Sequence, residues 1–411
     1  MTRNDIITSI YANPYKVLKA YRSAMGKNNR ITDNEKKLLH VIETHPELSI
    51  KELLTHTTYK WERTVKRKLK QLKEQEILSG PFYVLNYSKL SKNSLHKLVC
   101  TVETNQSYET VIPYLQIIEP IWVYPVMSPH KKVLTAAFYS TDITAMEDIL
   151  QLLKDNDIIT DYIARVWHSK RLVECANLFG DSNPSLDNLL TPCELPDMSL
   201  EYYDIAWNEC DLRILPYLEG GEKLIEILRK EKNLHRDWTY EQIKYSRGKM
   251  VKNGLIEKKY LYNPFLPEQC AHFQLFLKTD DINVTQRALY NFAKGARVTK
   301  QYVLCEDWGK ITCVSHPLFL KDLMSKLDSI DAITEREIYP KRAFPPGRYC
   351  SGQIPEYKYF NVETQTIEYP YHVYEEKIKE RIESEQLVVQ ESAKKLVVPE
   401  KVRIRETEMH T

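Results

Sequence analysis

The stretch 58-TYKWERTVKRKLKQLKEQEIL-78 carries seven lysines and arginines between positions 60 and 73, against one glutamate. Trp61, Val65, Leu69 and Leu72 recur at spacings of four, four and three. That spacing predicts a helix with one apolar stripe turned inward, Trp61 included. The outward positions are then Arg63, Thr64, Lys66, Arg67, Lys70 and Lys73, with Lys60 just before them, and no acid interrupts the run from 63 to 73. Charged helix faces ordinarily mix signs. An acid-free face therefore suits phosphate contact and entry into the major groove better than solubility alone. Each cation that neutralises a phosphate releases counterions, so binding is expected to fall steeply with salt.

Upstream, 32-TDNEKKLLHVIETHP-46 opens on a capping box, Thr32 with Glu35, and stops at Pro46. Ser49 caps a second short helix, 50-IKELLTHT-57. Downstream, 79-SGPFYVLNYSKL-90 reads as a turn and an extended strand. Three short helices followed by a strand give a winged helix-turn-helix, with the quoted stretch as its third helix.

Beyond residue 92 the apolar period shifts between two and 3.6, in the order βαββαβ: strands near 95–104, 121–127, 132–140 and 158–169, helices near 107–118 and 143–156. That order predicts a ferredoxin-like antiparallel sheet with both helices on one face. After a linker rich in Pro, Ser, Asn and Asp, the programme repeats at an offset of 178 positions, which lays LKEQEIL (72–78) on MVKNGLI (250–256). The expected fold class is α+β, two repeats of winged helix-turn-helix plus βαββαβ domain. The expected boundaries are an N-terminal extension 1–30 with a short helix over 14–25, winged domain 31–92, ferredoxin-like domain 93–172, linker 173–203, winged domain 204–266, ferredoxin-like domain 267–345 and a charged tail 346–411. The tail balances eight basic against nine acidic residues from 375 onward, and reads as a solvated helix.

The second third-helix is poorer in charge. It offers Gln242, Lys244, Tyr245 and Lys249 as polar contacts, but Arg247 falls where the first helix has Leu69, and Gly248 lies inside the helix. Lys89 and Lys92 in one wing, and Lys258, Lys259 and Tyr260 in the other, are expected to touch the DNA backbone.

The remaining chemistry is thin. The chain of 411 residues has a formal charge of +2, so any polyanion binding must be local. No apolar run approaches the roughly 18–20 residues of a membrane span, no signal peptide is expected, and the scattered cysteines read as reduced thiols of a cytoplasmic protein. Cys305 and Cys313 could meet across adjacent strands. There is no Walker A loop, no G-x-G-x-x-G after a strand, no H-E-x-x-H and no G-x-S-x-G. His130 and His316 occupy corresponding strand edges and read as structural. No catalytic residue, metal or cofactor is expected, and the chain reads as a non-enzyme.

A winged helix-turn-helix followed by a βαββαβ domain resembles the Lrp/AsnC family of transcription regulators, on the passages KRKLKQLKEQEIL and YSRGKMVKNGLI. The resemblance implies a DNA-binding regulator with double-stranded DNA as partner and a small-molecule effector at the ferredoxin-like domains. It also implies an intrachain pseudo-dimer, open to further homo-oligomer assembly. The family's glycine-rich loop between the second and third strands is replaced by 127-MSPHKK-132 and 306-EDWGK-310, and only the second keeps a glycine. Sirohaem decarboxylases are similar in layout and supply an enzyme as the alternative. A protein–protein adaptor, with the tail as docking arm, is the third class.

Overall fold

The structure, a computed structural model, describes residues 31–342 and 357–396. The helix expected over 14–25 lies outside these residues, as do Pro345 and Pro346. Three helices open the chain: α1 (Asp33–Thr44), α2 (Ile50–His56) and α3 (Glu62–Glu74). The first two begin at reciprocal capping boxes, Thr32 with Glu35 and Ser49 with Glu52. Strand β1 (Leu78–Leu85) follows, then β2 (His96–Thr104), α4 (Tyr108–Ile117), β3 (Trp122–Val126), β4 (Lys132–Ser140), α5 (Ile143–Asp155) and β5 (Asp161–Val166). These four strands after β1 form one antiparallel sheet in the order β3-β4-β2-β5.

Linker strand β6 (Leu172–Glu174) leads to α6 (Glu209–Glu219), α7 (Leu224–Asn233), α8 (Tyr240–Lys252) and β7 (Ile256–Tyr262). Then come β8 (Ala271–Lys278), α9 (Ile282–Asn291), β9 (Thr299–Cys305), β10 (Trp308–Ser315), α10 (Pro317–Asp328) and β11 (Glu335–Pro340). Their sheet runs β11-β8-β10-β9-β6, so the linker strand joins it at the edge beyond β9. The molecule is thus mixed α and β with several antiparallel sheets. Among the described residues no helix is long and apolar enough to cross a membrane.

Alternation along each strand sorts its side chains between two layers. Leu98, Cys100 and Val102 of β2 pack with α4 and α5, and Phe273, Leu275 and Leu277 of β8 share a core with Leu289 of α9 and Phe319 of α10. The opposite faces meet each other. Arg165 donates to Glu337 at 2.8 Å, Gln274 donates to the Tyr124 hydroxyl, and both edges are stitched by backbone bonds, Met127 N to Pro340 O at 2.8 Å and His168 N to Leu304 O at 3.0 Å.

Two expectations fail here. The strands read as wings do not stand free: β1 and β7 pair antiparallel with each other, from Leu78↔Tyr262 to Leu85↔Ile256. Gly80 makes the close approach possible, with φ of +105° and a would-be Cβ 2.8 Å from the Lys259 carbonyl. Nor is the tail a solvated helix. Hairpin strands β12 (Phe360–Asn361) and β13 (Thr366–Ile367) lead into α11 (Tyr371–Leu396), whose Tyr374, Ile378 and Ile382 join the buried core over α4 and α5. The Tyr371 hydroxyl accepts from Thr141 N at 2.8 Å at the start of α5. The near-neutral charge count concealed an i, i+4, i+8 stripe. Ile378 is wholly buried, so Ile378→Ala should cost about 2–5 kcal/mol in urea unfolding. A tail that contributed nothing would leave the midpoint unchanged.

Candidate nucleic-acid interface

Helix α3 begins one residue later than its apolar spacing suggests. Trp61 is the N-cap, with φ −134° and ψ 131°, and its side chain makes no capping bond. Because an extended N-cap does not continue the helical period, the ring leaves the stripe. Trp61 is 72% exposed, whereas Val65 and Leu72 are buried. The expectation of a core tryptophan is therefore corrected.

The cationic face stands as expected. Lys60, Arg63, Lys66, Arg67, Lys70 and Lys73 are exposed, and Thr64 is half-buried between them. Lys66 pairs with Glu62 at 3.4 Å and Lys70 with Glu74 at 3.7 Å. Such exposed i,i+4 pairs are worth only ~0.3–0.5 kcal/mol and yield readily to a phosphate. Arg63 and Arg67 have no ion-pair partner among the described residues. Lys68, the one cation of α3 turned inward, donates to Glu35 at 2.8 Å and so ties α3 to α1. Burial would raise the Glu35 carboxyl, but hydrogen bonds from Lys68 and Thr32 hold it below its ordinary value. At the end of the helix, desolvation by the surrounding protein and the neighbouring Lys223 ammonium depress Lys73.

The second third-helix presents much less. Tyr245 is exposed, and Lys244 is exposed but paired with Glu241 at 3.4 Å. Gln242 accepts from Thr239 N at 2.8 Å in the capping box of α8. Lys249 points inward, where its ammonium donates to Asp211 at 2.7 Å and to the Ala206 carbonyl at 2.7 Å, above the Trp207 ring. Arg247 lies beside Tyr83 of β1, whose hydroxyl burial pushes up. The wing lysines are also engaged: Lys89 with Asp204 at 2.9 Å, Lys258 with Glu47 at 3.5 Å, and Lys259 with Glu257. These three start from ion pairs, whereas Lys92, the fourth lysine expected at a DNA backbone, is exposed.

The sequence reading missed a second constellation, sealed between the sheets. Lys97 of β2 and Lys310 of β10 are only 6% and 3% exposed, and both ammonium groups approach the Trp167 ring, at 4.1 and 5.7 Å. Arg165, also buried, lies over Phe276 and Trp308 at 4.5 and 4.4 Å. Burial pulls Lys310 down to about 8 and Lys97 well below its ordinary value. Glu219, at the end of α6, is pushed up to about 8 by burial despite the nearby cations Arg171 and Lys97. Several polar atoms here have no partner among the described residues: Tyr87 Oη, Thr101 Oγ1, Trp167 Nε1, Glu219 Oε2 and Arg165 Nη1. Such an arrangement of cations, aromatic faces and unpaired donors could hold a carboxylate or move a proton. The signal was legible. Lys97 interrupts 95-LHKLVCTV-102 on the strand face opposite Leu98 and Cys100, and Lys310 does the same beside Ile311.

The other candidates resolve as structure. His316 caps α10, its Nδ1 accepting from Leu318 N at 3.2 Å, and His130 lies exposed in the β3–β4 turn. Cys305 pairs in register with Trp308 and Cys313 with Lys300, at opposite ends of the β9–β10 ladder, so the two thiols do not meet. Among the described residues no group of three or more His, Cys, Asp or Glu could hold a metal.

No family model and no curated protein matches this chain. Among solved structures, the sirohaem decarboxylase NirDL matches at 15% identity over 85% of this chain and 98% of its own, with a TM-score of 0.47. NirDL in complex with an iron-uroporphyrin III analogue matches at 16% identity over 86% of this chain and 99% of its own, also at 0.47. A transcriptional regulator from Neisseria meningitidis in complex with L-Met matches at 14% identity over 33% of this chain and 89% of its own, at 0.28. The expectation of a non-enzyme is withdrawn, because the solved structures just named that span most of the chain are those of an enzyme.

Asp211 is wholly buried and holds Lys249, Ser246 and the Asn208 backbone together. Lys249→Met should therefore act on folding, costing about 3–5 kcal/mol in chemical denaturation. A loss of DNA affinity at unchanged stability would instead place Lys249 on the binding face.

Proposed function

We propose that this chain is a DNA-binding transcription regulator whose first winged helix reads duplex DNA through α3. The observation that carries this reading is the exposed face of Lys60, Arg63, Lys66, Arg67, Lys70 and Lys73, left uncovered by the rest of the described fold. In this mechanism α3 enters the major groove, and Arg63 and Arg67 take phosphates through their planar guanidinium forks. Lys66 and Lys70 exchange Glu62 and Glu74 for phosphate, while Thr64 approaches the base edges.

The domain reading goes with it. A winged unit over 31–92 and another over 204–266 each precede a ferredoxin-like unit, 93–172 and 267–345, as in an Lrp/AsnC-like tandem duplication. The β1–β7 ladder and the apposed sheets support an intrachain pseudo-dimer. Its halves are unequal, because the exposed cations of α8 are Lys244, which is paired with Glu241, and Lys252, against five on α3. Arg63→Ala with Arg67→Ala should lower affinity for duplex DNA about 10–100-fold at low salt. It should also reduce the slope of log K against log salt by about 2, near 0.9 per lost phosphate contact. Binding unchanged in both respects would remove α3 from the interface.

The inter-sheet cluster favours a second reading, an enzyme acting on a carboxylate-bearing substrate as sirohaem decarboxylases do. Lys97, Lys310 and Arg171 would hold carboxylates there, and Glu219, with its raised pKa, could carry a proton near neutrality. The sheets are closed over this cluster and would have to part for a macrocycle to enter. Titration with an iron uroporphyrin distinguishes the readings. A shifted Soret band that is lost in Lys97→Ala supports the enzyme, and an unperturbed spectrum counts against it.

A further inference from the structure

We propose that Trp61 is a base-edge contact of α3 that reads the thymine methyl group in the major groove. The inference rests on the DNA-binding reading above and adds a sequence preference to it. Of the six tryptophans, Trp167 and Trp207 are buried, and Trp122, Trp238 and Trp308 are partly covered. Trp61 alone stands out, 72% exposed. A tryptophan ring is a large apolar surface, and leaving it in water forfeits the stabilisation that burial would bring.

The position has a cost within the helix as well. The residue at the matching place in the second half, offset by 178, is Thr239, which caps α8 by accepting from Gln242 N at 3.2 Å. Trp61 makes no such bond, and an uncapped helix start gives up on the order of 1 kcal/mol. The first half thus gives up both a cap and a buried ring at one position. That position borders the cationic face, with Lys60 and Arg63 exposed on either side.

Charge complementarity selects the occupant. An apolar ring framed by cations matches the edge of duplex DNA, where phosphates flank the groove and the thymine C5-methyl is the apolar feature of the base code. Stacking on a base would require unstacking the duplex, whereas methyl contact needs only the groove. Arg63 and Arg67 would fix the register, and Trp61 would discriminate.

The probes are alternating poly(dA-dT) and poly(dA-dU) duplexes, which differ only by that methyl. The full-length protein should bind the thymine polymer about fourfold more tightly, the worth of one buried methyl. Trp61→Ala should bind both equally, and Trp61→Phe should keep part of the preference. Two of the other five tryptophans are buried and three partly covered, so the part of the acrylamide quenching that Trp61→Ala removes reports on Trp61, and the thymine duplex should protect it. Equal binding of the two polymers, with Trp61 still quenchable in the complex, would overturn the inference and leave the DNA-binding reading intact. Failure to bind either duplex at low salt would overturn both.

Discussion

The ladder between β1 and β7 is the constraint on which the rest of this molecule depends. Each strand has its own helical unit behind it, and each would otherwise show water an unpaired edge, a standing invitation to aggregation. Pairing them satisfies one edge of each strand and ties the two helical units to each other. Leu85 and Ile256, opposed at one end of the ladder, lie in the same apolar core as α6, α8 and the inter-sheet face. Tyr262, at the other end, packs with Leu72 of α3 and donates its hydroxyl to the Ala176 carbonyl of the linker. With the strands committed to each other, the outer face of α3 is left exposed.

Both halves solve one further problem in the same way, with different residues. The first helix of each unit begins with a capping box whose acid is buried, Glu35 in one and Asp211 in the other. A buried carboxylate needs a cation or several donors. In the first half Lys68 supplies it, its ammonium also donating to Gln71; in the second, Ser246 and Lys249 both donate to the carboxylate. At the offset of 178 these are the same two positions, with the lysine moved from one to the other. Lysines of a third helix therefore divide into those that hold the helix to its neighbour and those that face outward, and charge counts alone do not separate them.

That distinction marks where reading the sequence succeeds. The element order follows from periodicity and capping residues, since Thr32 and Ser49 each announce a helix within a residue of its start. The outward set Arg63, Lys66, Arg67, Lys70 and Lys73 follows from the stripe of Val65, Leu69 and Leu72. Trp61 was misplaced because a spacing of four is helical only inside the helix, and position 61 is its extended cap. Lys249 was misplaced because its partner, Asp211, is 38 residues away. The pairing of β1 with β7 joins segments some 180 residues apart, and no local pattern encodes it. Lys97 and Lys310 stood in plain sight on the polar-facing alternation of their strands. They meant little until a second sheet was known to cover that face.

The exposed cationic helix and the sealed polar cluster are consequently not independent features. Glu219, which reaches into the cluster near Lys97 and Arg171, is the last residue of α6, and Asp211 in the first turn of that helix anchors α8 through Lys249. Gly221, two residues past Glu219, sits so close to β1 that a Cβ there would collide with the Pro81 carbonyl. A single short helix thus touches the buried cluster, the second helical unit and the strand that continues from α3. Burial raises the Glu219 carboxyl to about 8, against the pull of Arg171 and Lys97. Between α6 and the exposed cationic helix α3 stands β1, the strand that joins the two halves.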